Sequence, residues 1–151
     1  MTVLVTKANS DYWYKIRVFN TMEDIQKVYD FLNKANEFYL ATIEGDQPRV
    51  RVYGASLLFE GKLYFMAIKG TEAPNQLEKN PKFEICIFKN NVLRMSGKLV
   101  MDNRLEIREA LVQKIPALGM SIGTENMIMY YVKDADASFY NLQGVYDSAH
   151  F

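Results

Sequence analysis

Histidine and cysteine are almost missing from this chain. Its 151 residues include one histidine, His150, and one cysteine, Cys86. That histidine is one residue from the C-terminus, so neither a His-based triad nor a histidine metal site is expected. A lone cysteine supplies neither a disulfide framework nor a zinc cluster. Its place in the apolar run FEICIF predicts a buried small side chain. Net charge is missing too: 18 Lys+Arg balance 18 Asp+Glu. No global field therefore attracts nucleic acid or an anionic membrane, and neither is expected as a partner. No apolar run approaches a membrane span. Lys7, Asp11, Lys15 and Arg17 interrupt the first twenty residues, so no signal-peptide core forms and a cytoplasmic location is expected. Neither G-x-x-x-x-G-K-[ST] nor G-x-G-x-x-G occurs, which excludes a P-loop and a classical dinucleotide site. No metal site is expected: the acidic pair Asp134 and Asp136 in KDADA reads as a solvated turn, with a metal pair as the alternative.

What is present is apolar and aromatic. Hydrophobic residues make up 49% of the chain and aromatic residues 13%, enough for one globular domain over residues 1–151 with a real core. Residues 1–20 read as a strand or an extended arm. Thr21 then N-caps a helix whose Met22, Ile25, Val28, Tyr29 and Leu32 share a face. After it the period falls to two. FYLATIE, RVRVYGASLLFE, KLYFMAI, KFEICIF and VLRMSGKLVM read as strands, with turns at GDQP, Glu60-Gly61 and Lys89-Asn90-Asn91. A short helix starts at Pro74 and stops at Asn80-Pro81. A second amphipathic helix, NRLEIREALVQKI, turns Leu105, Leu111, Ile115 and Leu118 inward. MIMYYV and ASFYNL close the chain as a last strand or pair. Short connections imply antiparallel pairing, and about six strands suggest closure into a barrel.

PRVRVYG raises the sharpest question. Strand periodicity puts Val50 and Val52 on one face and Arg49, Arg51 and Tyr53 on the other. Two arginines sharing a face repel unless solvent or an anion screens them.

The order of segments resembles the pyridoxamine 5′-phosphate oxidase-like family of FMN-binding split barrels. The resemblance spans about residues 22–143, leaving the N-terminal twenty outside, and rests on LATIEGDQPRVR, FEGKLYF, QLEKNPKFE and RMSG taken together. It is closest to the short branch of nitroimidazole-resistance-type and general-stress-type flavoproteins. It implies a mainly β, six-stranded antiparallel split barrel with flanking helices, assembled as a homodimer with FMN at the subunit interface. By this resemblance Arg51 reaches the FMN phosphate, and Val52, Tyr53 and Met66, Ala67 and Ile68 wall the groove. Lys69, Thr71 and Gln76 lie along the phosphate loop, and Val92 and Arg94 approach from a neighbouring strand, often across the dimer. The implied function is an FMN-dependent oxidoreductase passing electrons from reduced flavin to a small unknown acceptor. True pyridoxamine phosphate oxidation is not expected, because longer relatives build a second phosphate site from a C-terminal segment with Trp and Arg.

The chain departs from that pattern in the phosphate loop. Relatives commonly carry Lys or Arg where Glu72, Ala73 or Asn75 stand here. A carboxylate ~5 Å from a phosphate, at an effective dielectric of ~20, costs roughly 3 kcal/mol, about a hundredfold in affinity. Ala67 also stands where relatives often have Thr or Ser. The alternative is a split-barrel dimer that has lost FMN and serves as a non-catalytic ligand-binding or sensor protein. Arg49 is expected to be a surface or salt-bridging residue, and Arg94 to pair with Glu84 or Asp102.

Overall fold

In the computed structural model the described residues are 7–151, with backbone alone at 7–10 and 12. The first described element is helix α1, Lys7–Ala35. It corrects the expected strand or arm over residues 7–20; residues 1–6 lie outside the described ones. Thr21 is not a cap but sits mid-helix, its hydroxyl donating to the Arg17 carbonyl at 2.9 Å, the back-bond open to a helical threonine. Ile25, Val28 and Leu32 are buried, whereas Met22 is exposed with Trp13, Tyr14 and Phe19. Among the described side chains of the helix, those buried in the core lie in its C-terminal half. Asn36, at φ 68°, takes the left-handed conformation that ends it.

Strands β1 (Phe38–Glu44) and β2 (Gln47–Tyr53) form a hairpin. Strands β3 (Ser56–Phe59) and β4 (Lys62–Ile68) form another, turning on Glu60 and Gly61 at φ 49° and 73°. Positive φ at both positions is the two-residue turn that matches strand twist. Helix α2 runs Glu72–Lys79 with Thr71 at its N-cap, so it begins before Pro74 rather than at it. Strands β5 (Lys82–Lys89) and β6 (Asn91–Met101) follow, then α3 (Leu105–Lys114) and α4 (Pro116–Ser121). Strand β7 (Met127–Asn141) and strand β8 (Gly144–His150) complete the chain.

All eight strands join one sheet, in the order β2-β1-β5-β6-β7-β4-β3 with β8 on β7, and every pair is antiparallel. The expected six-stranded barrel is therefore corrected on two counts. MIMYYV and ASFYNL belong to one continuous strand, and the tail GVYDSAH, read as no element, adds another. The sheet also does not close: β2 and β3 are its two ends and do not pair. RVRVYGASLLFE, read as one long strand, breaks at Gly54-Ala55 and carries the chain from one end of the sheet to the other. Strand β7 pairs with β6 on one edge and shares its other edge between β4, over Met127–Tyr131, and β8, over Asp136–Asn141. Where these regions meet, the β6–β7 register shifts between Ser96 and Lys98, with Asp134 and Ala135 of β7 set against the single residue Gly97. A Cβ on Gly97 would lie 2.9 Å from the Lys133 carbonyl oxygen, so only glycine admits this approach.

Two apolar clusters hold the sheet. The larger packs Ile25, Val28 and Leu32 of α1 against Phe38, Leu40, Phe65, Ile85 and Phe139. The smaller packs Leu57, Tyr64, Met66 and Met129 against Ile107 and Leu111 of α3. Leu105, expected inward, is 53% exposed, and Ile107 takes its place in the core. Cys86, expected to be buried, is exposed. Ile85 and Ile87 point inward, and strand alternation sends the residue between them outward. Helix α1 is also tied to β8: Lys27 Nζ donates to Asp147 Oδ1 at 3.0 Å and to the Ser148 carbonyl at 2.6 Å. The His150 amide donates to Asp24 Oδ2 at 2.8 Å.

Candidate functional site: a groove beside Arg51

Strand β2 is turned against its hydrophobicity. Val50 and Val52 are 66% and 59% exposed, while Arg51 and Tyr53 are partly buried on the inner side. The register explains the orientation. Arg51 lies opposite Leu40 and Tyr53 opposite Phe38, both core residues of β1, and directly paired residues share a face. Tyr53 stacks on Phe38, with ring centroids 5.8 Å apart and planes 17° apart. Burial pushes the Tyr53 phenol above its ordinary value, against an opposing pull from the Arg51 cation.

Arg51 is held at both ends of its fork. Nη1 donates to Thr42 Oγ1 at 2.8 Å, and Nη2 donates to Gln76 Oε1 at 2.7 Å. Thr42 Oγ1 in turn donates to Gln76 Oε1 at 2.5 Å. Arg49, on the same strand face but beyond the core, instead pairs with Glu44 Oε2 at 2.6 Å.

Beside Arg51 lies a cavity of about 560 Å³, bounded by the end of β2, the end of β4, the start of α2 and the α3–α4 junction. Arg51, Val52, Tyr53, Met66, Ile68 and Thr71 all line it, as do Glu72 and Ala73. Its other walls are Gly54, Ala55, Ile115 and Leu118. The lining thus combines a guanidinium, a hydroxyl and a carboxylate with mostly apolar walls, the usual make-up of a small-molecule site.

Other residues expected at a site fall elsewhere. Ala67 belongs to the larger core cluster while its neighbour Met66 belongs to the smaller one, as strand alternation requires. Lys69 is exposed, and its backbone amide donates to the Asn126 carbonyl at 2.8 Å. Thr71 commits its hydroxyl proton to the Ile68 carbonyl at 2.6 Å, leaving the oxygen as an acceptor. Gln76 is buried behind the cavity and reaches it through Arg51. Val92 and Arg94 line no part of the cavity within this chain. Arg94 Nε and Nη2 both donate to Glu84 Oε1, at 2.9 and 2.5 Å. That contact raises the Arg94 pKa further. The acidic pair Asp134 and Asp136 is split between different partners, the Lys98 ammonium and the His150 imidazole.

No protein-family model matches the chain, and no curated protein matches it in sequence. Solved structures do. A NimC/NimA family protein from Clostridium acetobutylicum superposes with a TM-score of 0.84 at 28% identity, over 89% of this chain and 96% of that one. General Stress Protein 26 from Bacillus anthracis gives 0.63 at 12% identity, over 86% and 98%. A Clostridium acetobutylicum protein related to general stress protein 26, of the pyridoxinephosphate oxidase family, gives 0.61 at 13%, over 86% and 94%. The chain has the fold of these proteins.

Two lining residues, Ile115 and Leu118, and the Thr42 partner of Arg51 are not anticipated by the sequence reading of the groove. Thr42 could have been found from β1 alone, since it alternates with Leu40 toward the inside. Ile115 and Leu118 were read only as core residues, because nothing local says that α4 faces the end of β2. Tyr130 is buried outside the cavity lining. Its hydroxyl has no hydrogen-bond partner. Burial pushes its pKa up to about 12, with Tyr53 and Glu78 adding to the shift. No described helix is long and apolar enough to cross a membrane.

Proposed function

We propose that this chain is an FMN-binding oxidoreductase that passes electrons from reduced flavin to a small acceptor and works as a homodimer. The observation that carries the reading is Arg51: a half-buried guanidinium, fixed on both terminal nitrogens, in the wall of a mostly apolar cavity. A planar fork of this kind suits a phosphate. The residues present fit the group. Arg51 would bind the phosphate, and Tyr53, Met66, Ile68, Ile115 and Leu118 would exclude water from the ring. Bound FMN supplies the redox chemistry. The protein contributes binding, orientation and shielding. Glu72 at the same cavity opposes an anion and sets a limit on affinity.

The dimer has its own support. Val50, Val52, Tyr39 and Phe88 are exposed on the outer face of the sheet. An apolar sheet face of this extent favours a covering partner. Arg94 pairs in register with Cys86, and Cys86 with Tyr39, so it belongs to the face that a second copy would cover. Sedimentation of the purified protein tests this arm: a monomer at working concentration refutes it.

The flavin reading is tested by purifying the protein without added cofactor, recording its visible absorbance and titrating FMN against riboflavin. A yellow protein, or one that gains FMN at micromolar affinity or better, is expected. No binding at high micromolar FMN overturns the reading. Glu72 would then favour the second one, a dimer of the same fold that has lost FMN and binds another ligand.

A further inference from the structure

We infer that Thr42 is a positioning residue, whose hydroxyl sets the Arg51 guanidinium in the orientation that receives an anion. The inference rests on the flavin reading for the identity of that anion, but its geometry stands on its own. Thr42 is 1% exposed and Gln76 is 4% exposed. A buried hydroxyl gains nothing over a valine methyl unless it is hydrogen-bonded. This one is bonded twice, accepting from Arg51 Nη1 and donating to Gln76 Oε1. With Arg51 Nη2 also on Gln76 Oε1, three side chains from β1, β2 and α2 close a ring. The planar guanidinium is gripped at two nitrogens and tethered at a third point by its own stem, so its plane is set before any ligand arrives.

A second observation shows what the ring costs. Gln76 Nε2 is buried with no acceptor. Turning the amide would place its NH₂ against the Arg51 N–H groups and lose both bonds to Oε1. The fold therefore leaves an amide donor unsatisfied and keeps the carbonyl on the arginine. Keeping the carbonyl on the arginine fixes the guanidinium's orientation. It is useful at a binding site, because a free arginine loses rotamer freedom when a ligand captures it.

The test compares Thr42→Val, which keeps shape and loses the hydroxyl, with Thr42→Ser, which keeps the hydroxyl. Affinities for FMN and for riboflavin are measured by flavin fluorescence quenching, with thermal melts to verify folding. Loss of one charged hydrogen bond in Thr42→Val should weaken FMN about tenfold, with riboflavin little changed, and Thr42→Ser should restore FMN. In parallel, nitrogen-15 NMR of the arginine side chains follows Arg51, assigned by its loss in Arg51→Met. Its Nη signals should be resolved by hindered rotation in the wild type and in Thr42→Ser, and should merge in Thr42→Val. Equal loss of both flavins, unchanged FMN affinity or unchanged Arg51 signals in Thr42→Val would overturn the inference. If the wild type binds no FMN, the flavin reading fails, and the NMR comparison alone decides whether Thr42 holds Arg51.

Discussion

Replacing Arg51 by methionine removes a charge and keeps a stem of similar length. Its contacts in the folded protein are two hydrogen bonds, to Thr42 at 2.8 Å and to Gln76 at 2.7 Å. Thr42 and Gln76 remain bonded to each other without it, so the buried polar pair is not orphaned. The stability loss should be modest, about 1–2 kcal/mol. The binding loss should be larger and selective. A guanidinium and a phosphate in contact at ~4 Å, at an effective dielectric of ~20, attract by roughly 4 kcal/mol per unit charge before solvent screening is counted. Arg51 is only half-buried, and a net loss of about 2–3 kcal/mol, or 30- to 150-fold in the FMN dissociation constant, is expected. Riboflavin, which lacks the phosphate, should bind Arg51→Met almost as it binds the wild type. The assay is a pair of fluorescence titrations at low and high salt, and FMN affinity should lose its salt dependence in the variant. Adding Thr42→Val to Arg51→Met should weaken FMN no further, because the hydroxyl then has no guanidinium to hold. Equal losses for FMN and riboflavin would refute the phosphate role and with it the orientation assigned to the cavity.

Three further outcomes can be checked. Glu72→Lys should tighten FMN by ten- to a hundredfold, since a repulsion becomes an attraction across one cavity; unchanged affinity would mean Glu72 faces away from the phosphate. Gly97→Ala should lower stability by about 1–3 kcal/mol in chemical denaturation, because its Cβ would meet backbone oxygens of Lys133 and Asp134 at 2.9 and 3.2 Å; a neutral result would show that the bulge can relax. Asp102 is held below the ordinary carboxylate range, first by its hydrogen bond from Arg104 and also by that from Tyr64. Its contribution is thus complete above the unfolded value near 4 and is lost as pH falls through the depressed folded value. Melting temperature followed from neutral pH downward should drop less in Asp102→Asn than in the wild type over that acid window.

Turn chemistry and period were readable locally. Glu60-Gly61 and Asn90 adopt the positive φ that their residue types allow, and β1, β4 and β5 fall where alternation put them. The helix from Lys7 was not readable because its N-terminal half carries apolar residues around its circumference rather than along one stripe, so no single face announces a 3.6-residue period. RVRVYGASLLFE reads as one strand, but Gly54 lies on the crossing between the two ends of the sheet. Nothing within RVRVYGASLLFE distinguishes those outcomes, since pairing partners far along the chain choose between them.

The same division runs through the site. Side-chain chemistry says only that two arginines share a face of PRVRVYG; the family resemblance singles out Arg51 as the candidate anion ligand and sets Glu72 against it. Which face of β2 turns inward was beyond local reading. By composition the valines should be buried, yet the pairing of Arg51 with Leu40 and Tyr53 with Phe38 turns the arginine in and the valines out. That inversion, the ring with Thr42 and Gln76, and the wall from Ile115 and Leu118 arise from contacts between residues distant in the chain. Hydrogen bonds and packing across such distances exist only once the sheet has assembled, so the tertiary structure alone could decide them.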